Sequence, residues 1–258
     1  MSMISDNEYV DFCPKTYLLQ YYSHQLIPED ELLIFRELTA WLRKMGRQFE
    51  IAVEVGCGPT LHHAFPLAPW VNRLVLCDYV KANRVEVRNW LNSDLDAHNW
   101  QFRVAAILSN ESNSLAPPTP KQIFERENLL RSKVVSVEEV DLRSEHPLGI
   151  ERHFDLVTSF YTSENVAKDF EDWKCVFARL SSLCKTDGSL FTVLANESSG
   201  YQVGSKQFAT VKICEEAVLE CLNNCGFSSE KVEVKTFTVK GWEREGIHSI
   251  IVASASRS

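Results

Sequence analysis

Apolar and polar positions alternate along the chain with two periods, and the switches between them mark out the elements. Residues 27–46, IPEDELLIFRELTAWLRKMG, place apolar side chains at 34, 38, 41, 42 and 45, with Pro28 in a first-turn position, acids after it and a terminating Gly46. That spacing predicts an amphipathic helix. EIAVEV at 50–55 reads as a buried strand and NRLVLCD at 72–78 as a second, leaving room only for a short helix before Pro66 and Pro69. Beyond them the pattern predicts a helix over 80–93, a polar stretch, a helix over 121–132, strands at 133–141 and 154–160, a long helix over 165–184, a strand at 189–196, a helix over 215–226, and strands at 231–239 and 248–255. Repeated β and α elements imply an α/β fold, an open and mostly parallel sheet with helices on both faces. The last two strands are joined by KGWEREGI alone, too brief for a parallel crossover, so the sheet should end in an antiparallel hairpin. One linker-like stretch, NESNSLAPPTP at 110–120, interrupts the pattern without dividing it. A single domain over 1–258 is expected, with a lid built from an N-terminal segment of about 1–46 and a polar insertion of about 101–132.

Composition narrows the function classes. The 258 residues are 45% hydrophobic, enough for a real core, and carry a formal net charge of −8 with no concentrated run of Lys and Arg. Phosphate binding needs a concentrated positive surface, so a nucleic-acid partner is not expected. No apolar run approaches the roughly 18 residues that span a bilayer, and the N-terminus lacks a basic region followed by an apolar stretch. We expect a cytoplasmic, reduced protein, monomeric and without a membrane partner. The eight cysteines include no C-x-x-C pair, and adjacent His62 and His63 cannot point the same way on a helix, so no metal site is expected.

The turn EVGCGPTLHH, residues 54–63, carries the candidate chemistry. A glycine turn after a strand lets the backbone approach a ligand, and in open α/β sheets that ligand sits beyond the carboxyl ends of the strands. Asp78 ends the second strand, 20 residues after Gly58, where a carboxylate can take both ribose hydroxyls of a nucleoside. A dinucleotide would want a third glycine and an uninterrupted helix N-terminus for its pyrophosphate, and Pro59 and Thr60 supply neither. S-adenosylmethionine carries no phosphate. Asp141, closing the third strand, can accept the adenine amino group while the Leu142 amide donates to the ring. This favours a methyltransferase over a nucleotide-dependent oxidoreductase.

At these residues the chain resembles a family. EVGCGPT, CDYVKANRVEVRNWL with HNW after it, VDLRSEHPLG, and the N-terminal FCPKTYLLQYY together are similar to the nicotinamide, phenylethanolamine and indolethylamine N-methyltransferases and their thioether relatives, from about Phe12 to the C-terminus. The resemblance implies a Rossmann-like class I methyltransferase fold with a seven-stranded sheet, and S-adenosylmethionine as cofactor. It implies that Tyr17 and Tyr22 fold over the cofactor and that Gly56 and Gly58 line the turn. Thr60 and His62 would support the methionine end, His62 standing where a tyrosine is common. Asp78 and Asn83 would hold the ribose with Tyr79 beside them, Asp141 and Leu142 the adenine, and Phe160 would lie against the cofactor.

The acceptor side follows from the chemistry. Methyl transfer is an in-line displacement that chiefly needs alignment and exclusion of water, and a protonated amine cannot attack, so carboxylates that orient it and take its proton are wanted. The resemblance places acceptor-binding acids at Glu164 and Glu197, and puts Leu194 where the nicotinamide enzymes have an aspartate. Tyr17, Tyr201 and Thr210 would complete the pocket, with Trp242 and Glu245 reaching over it from the last hairpin. The expected acceptor is a small amine; sulfur or oxygen acceptors, or a non-catalytic adenosyl-binding protein, are the alternatives. Glu164 also suits capping of the helix that follows, and Tyr17 and Tyr21 suit a packed helix face.

Overall fold

A computed structural model describes residues 9, 12–112, 116–242 and 247–257. Near-continuous apolar runs become a seven-stranded sheet because both of its faces are covered: strands β1 (Phe49–Val55), β2 (Val71–Asp78), β3 (Val134–Glu139), β4 (Phe154–Phe160), β5 (Cys184–Ala195), β8 (Glu233–Thr238) and β9 (Ser249–Ser256) lie in the order β3-β2-β1-β4-β5-β9-β8. β3, β2, β1, β4 and β5 are parallel; β9 inserts antiparallel between β5 and β8, the expected hairpin. The chain leaves β1 towards β2 on one side and returns to β4 on the other, which opens a crevice between β1 and β4 at their carboxyl ends.

Alternate residues of each strand face opposite layers. Ala52, Leu74, Leu156, Phe191 and Ile250 pack with Ile34, Phe35, Leu38 and Leu42 of α2 (Glu29–Met45), Trp90 of α4 (Lys81–Leu91), and Leu130 of α6 (Pro120–Lys133). Val53, Val75, Val157, Leu190 and Ile251 pack with Trp173, Val176 and Phe177 of α8 (Phe170–Ser182) and Val218 and Leu222 of α9 (Glu215–Asn224). α2 has acids in its first turn, Arg43 and Lys44 in its last, and Gly46 as a left-handed cap, so charge and backbone both favour its ends.

Several local expectations are corrected. The long helix over 165–184 is two, α7 (Ser163–Val166) and α8, because Ala167 turns extended and the Asp169 carboxylate accepts the Asp172 amide to start a new helix. Residues 200–209 form an unforeseen hairpin of β6 (Gly200–Val203) and β7 (Lys206–Ala209). The polar stretch before Asn113 is helical, α5 (Gln101–Ser112), and buries Arg103, Val104 and Ile107. The short helix after the glycine turn is α3 (Ala64–Leu67), and α1 (Pro14–Tyr22) carries the paired tyrosines.

Arg103 explains why α5 is there. Its guanidinium is fully buried against Glu31 of α2, with Nε–Oε2 2.9 Å and Nη2–Oε1 3.1 Å, donates to the Tyr22 carbonyl at 3.0 Å, and lies 4.7 Å over the Tyr22 ring. Three helices meet on one cation. Arg103→Met strands Glu31 in the interior and is expected to cost about 3–5 kcal/mol in urea unfolding, with Glu31→Leu in the same chain recovering part of the loss.

Candidate active site

The glycine turn folds back on β2: the Gly56 and Cys57 amides donate to the Cys77 carbonyl at 2.8 and 2.9 Å. Gly56 (φ 73°) has no room for a side chain, since a Cβ would stand 2.2 Å from Thr162 Oγ1. Gly58 (φ 60°) is the opposite case, for a Cβ there would meet nothing within 4 Å. Its bare backbone forms part of a cavity wall. The Gly58 amide donates to Asp78 Oδ2 at 2.8 Å, and Oδ1 accepts from the Val80 amide at 2.8 Å and Asn83 Nδ2 at 3.0 Å. Burial raises the Asp78 pKa, and these donors work against the rise. The buried Asn83 Oδ1 has no partner among the described residues.

Rings wall the middle of the cavity. Tyr17 and Tyr22 of α1 are 5.6 Å apart, Tyr22 is 4.9 Å from His62, His62 3.8 Å from His63, and His63 stacks on Phe160 at 3.8 Å. Burial pushes His62 well below the usual imidazole range and His63 down to about 3, so both rings are neutral. Their Nδ1 and Nε2 respectively lack partners among the described residues. Desolvation drives Tyr17 up to about 12. Over the top, Tyr9 Oη donates to the Asn165 carbonyl at 2.7 Å, and Gln20 of α1 exchanges bonds with the β6–β7 hairpin, donating to Gln202 O at 3.0 Å and accepting from Gly204 N at 2.9 Å.

Past β4 and β5 lies Glu164, wholly buried. Its Oε1 accepts the Ala195 amide at 2.9 Å, Oε2 has no partner among the described residues, and burial lifts the carboxyl to about 7. Tyr201, Thr210 and Trp242 line the same cavity, as do Tyr17, Tyr22, Thr60, His62, Asp78, Tyr79, Asn83, Asp141, Leu142 and Phe160. Two expected acceptor residues are not brought in. Glu197 sits exposed in a left-handed turn (φ 52°), and Leu194 is buried in β5 within the core facing α8 and α9. Neither is among the lining residues. Glu245 lies outside the described residues. Asp141 is already engaged: Arg143 Nε and Nη2 hold its two oxygens at 2.9 and 3.0 Å and keep it below the usual carboxylate range despite partial burial.

Sequence reasoning gave no ligand role to several residues here, Tyr161 among them. Asp30 and Glu31 line the cavity from the first turn of α2, where acids read as partners of the helix dipole. His63 lines it too. Glu54, an acid inside an apolar strand, is buried beneath the turn with Oε2 unpartnered among the described residues and is pushed up to about 8. Of the two acids in EIAVEV, Glu50 opens the run and is exposed, whereas Glu54, flanked by Val53 and Val55, was the signal available.

The chain was compared with known proteins. It is 26% identical to human nicotinamide N-methyltransferase over 254 residues, 95% of this chain and 94% of that one. It is 27% identical to indolethylamine N-methyltransferase of Mus musculus, covering 84% and 82%, and 24% identical to phenylethanolamine N-methyltransferase of Sus scrofa, covering 94% and 86%. Among solved structures, an S-adenosylmethionine-dependent methyltransferase from Clostridium acetobutylicum is similar with TM-score 0.57 at 12% identity, covering 95% of this chain and 98% of that one. Magnesium protoporphyrin IX methyltransferase from Synechocystis is similar with TM-score 0.55 at 14% identity, covering 95% and 90%. These two bear on the fold alone, and they agree with the Rossmann-like sheet. The NNMT/PNMT/TEMT family model matches residues 2–254, and the chain therefore belongs to that family of S-adenosylmethionine-dependent small-molecule N-methyltransferases.

Proposed function

We propose that the protein transfers a methyl group to the nitrogen of a small primary or secondary amine, and that Glu164 receives the proton that nitrogen must lose. The supporting observation is Glu164 itself: a wholly buried carboxylate lining the cavity, one oxygen fixed by a backbone amide and the other without a partner among the described residues. A buried acceptor left unsatisfied costs stability until a donor arrives. A carboxyl poised near 7 is matched to taking a proton from an ammonium at neutral pH.

The cleft suits S-adenosylmethionine on the protein's own features. Gly58 opens on free space, the buried Asn83 Oδ1 awaits a donor beside Asp78, and the turn passes into neutral Thr60 and His62 instead of a cationic phosphate cradle. In this reading Gly56, Gly58, Thr60, His62 and Tyr22 hold the methionine end, Asp78 and Asn83 the sugar, and Tyr79, Asp141 and Leu142 the base, with Phe160 alongside. When bound, the cofactor supplies a methyl carbon already activated by positive sulfur. The chain contributes alignment, a dry site and a proton acceptor. α1, from the expected N-terminal lid segment, and the β6–β7 hairpin, tied through Gln20, would exclude water; no described residue of the 101–132 insertion, expected to share the lid, lines the cavity. With Leu194 out of the cavity, no acid stands where the nicotinamide enzymes have aspartate, and a pyridine nitrogen has no proton for Glu164 to take. Both points favour a protonated amine over nicotinamide.

Gly58→Ala fills the cavity wall. It should weaken S-adenosylhomocysteine binding in calorimetry by at least about tenfold, beyond the roughly 1–2 kcal/mol of stability that a left-handed alanine costs. Because burial raises Glu164, its charged form is present above about 7 and lost as the pH falls through that value, so amine turnover should rise with pH across it. Glu164→Gln should lower kcat by about a hundredfold and remove that limb while cofactor binding persists; unchanged kcat on a turned-over amine refutes the assignment.

A further inference from the structure

The cavity holds more negative charge than the protein neutralises. Five carboxylates line it among the described residues: Asp30, Glu31, Asp78, Asp141 and Glu164. Glu31 is matched by Arg103 and Asp141 by Arg143. Asp78 has the Arg84 guanidinium beside it, donating to the Asp78 backbone carbonyl at 2.8 Å, and the cofactor of the proposed reaction, net positive by one charge, would bind next to it. Asp30 and Glu164 remain.

Asp30 is not an ordinary first-turn acid. It is buried, with Oδ1 accepting Trp242 Nε1 at 2.7 Å and Oδ2 accepting Tyr161 Oη at 3.0 Å. No cation pairs with it among the described residues. Neutral donors, here Trp242, Tyr161 and backbone amides at the start of α2, orient a carboxylate without cancelling its charge. Removal from water raises its pKa, as expected of a buried anion lacking a counter-ion. Tyr161 itself is held in a left-handed conformation (φ 52°) two residues before Ser163, where α7 begins and Glu164 follows. The loop that carries Glu164 thus also braces Asp30.

We infer that the acceptor is a diamine, or an amine with a second cationic group: Glu164 takes the proton of the nitrogen that is methylated, and Asp30 binds the distal ammonium. This rests on the amine reading above and deepens it. Asp30 acts as a specificity-determining residue, since the distal group undergoes no chemistry. A charged hydrogen bond in a dry site contributes enough to set a preference between substrates differing in one ammonium.

The test is a pair of amines with one skeleton, 1,4-bis(aminomethyl)benzene and 4-methylbenzylamine, assayed for kcat/KM on the wild type, Asp30→Asn and Tyr161→Phe. The wild type should favour the diamine by at least about tenfold, and Asp30→Asn should bring the ratio close to one. Tyr161→Phe, which removes a donor to Asp30 but leaves its charge, should keep most of the preference. S-adenosylhomocysteine binding by calorimetry shows that each variant is folded. Equal kcat/KM on the two amines, a preference that survives Asp30→Asn, or its loss in Tyr161→Phe as fully as in Asp30→Asn overturns the role of Asp30 and leaves amine methylation standing. No transfer to either amine, with cofactor binding intact, overturns the amine reading and this inference with it.

Discussion

One buried ion pair sets the geometry on which the cavity depends. Arg103 and Glu31 come from helices with no sheet strand of their own to align them, and their charges are removed from water together. Such a pair is stable only when its remaining donors are satisfied. Here they are, by the carbonyls of Tyr21 and Tyr22 at the end of α1. The cost of desolvation is thereby converted into position: α1 cannot leave without unsatisfying Arg103, so Tyr17 and Tyr22 stay over the glycine turn. The adjoining Asp30 inherits its place in the cavity from the same turn of α2.

Around this pair the site is organised by what it leaves uncompensated. The turn contributes the Gly58 amide to Asp78, yet Asn83 Oδ1, His62 Nδ1, His63 Nε2 and Glu164 Oε2 are all buried polar atoms without partners among the described residues. Interiors rarely tolerate that many, because each forfeits the hydrogen bond it had in water. Their concentration on the walls of one cavity supports the proposed reading, in which a polar ligand supplies the missing partners.

Much of this was legible in the sequence, and the parts that were not share a cause. All seven strands of the main sheet were visible, because strands buried on both faces give unbroken apolar runs and the turns between them carry glycine, proline or acids. α5 was hidden because its buried face contains Arg103, a residue that reads as solvated until its partner is known. β6 and β7 span four residues each, too few for alternation to register, and the break between α7 and α8 uses Asp169 with neither glycine nor proline beside it. In the site, Asp78 was proposed from its distance to the glycine turn, a local quantity, and Asn83 from the family resemblance; the structure places the two side by side. Glu164 and Glu197 were both named through the family resemblance, Glu164 as the stronger candidate, and both follow strands that end at the crevice. What separates them is direction: the Ala195 amide reaches back to hold Glu164 inward, while the left-handed turn at Glu197 sends it to solvent.

The same contrast bears on how the acceptor site is built. In a site assembled from one strand end, exchanging an acid for leucine, as at position 194, would remove the recognition of a positive substrate. Here the carboxylates are supplied from separate places, Glu164 from the loop after β4 and Asp30 from α2, and Trp242 from the final hairpin touches Asp30. Tyr161 joins the two, its backbone leading to Glu164 and its hydroxyl donating to Asp30. In the proposed reading, charge recognition is thus shared between the sheet and the helix that carries Glu31, the anchor of Arg103. A ligand held by Asp30 would sit one residue from Glu31, whose ion pair with Arg103 is tied to the carbonyls of Tyr21 and Tyr22 at the end of α1.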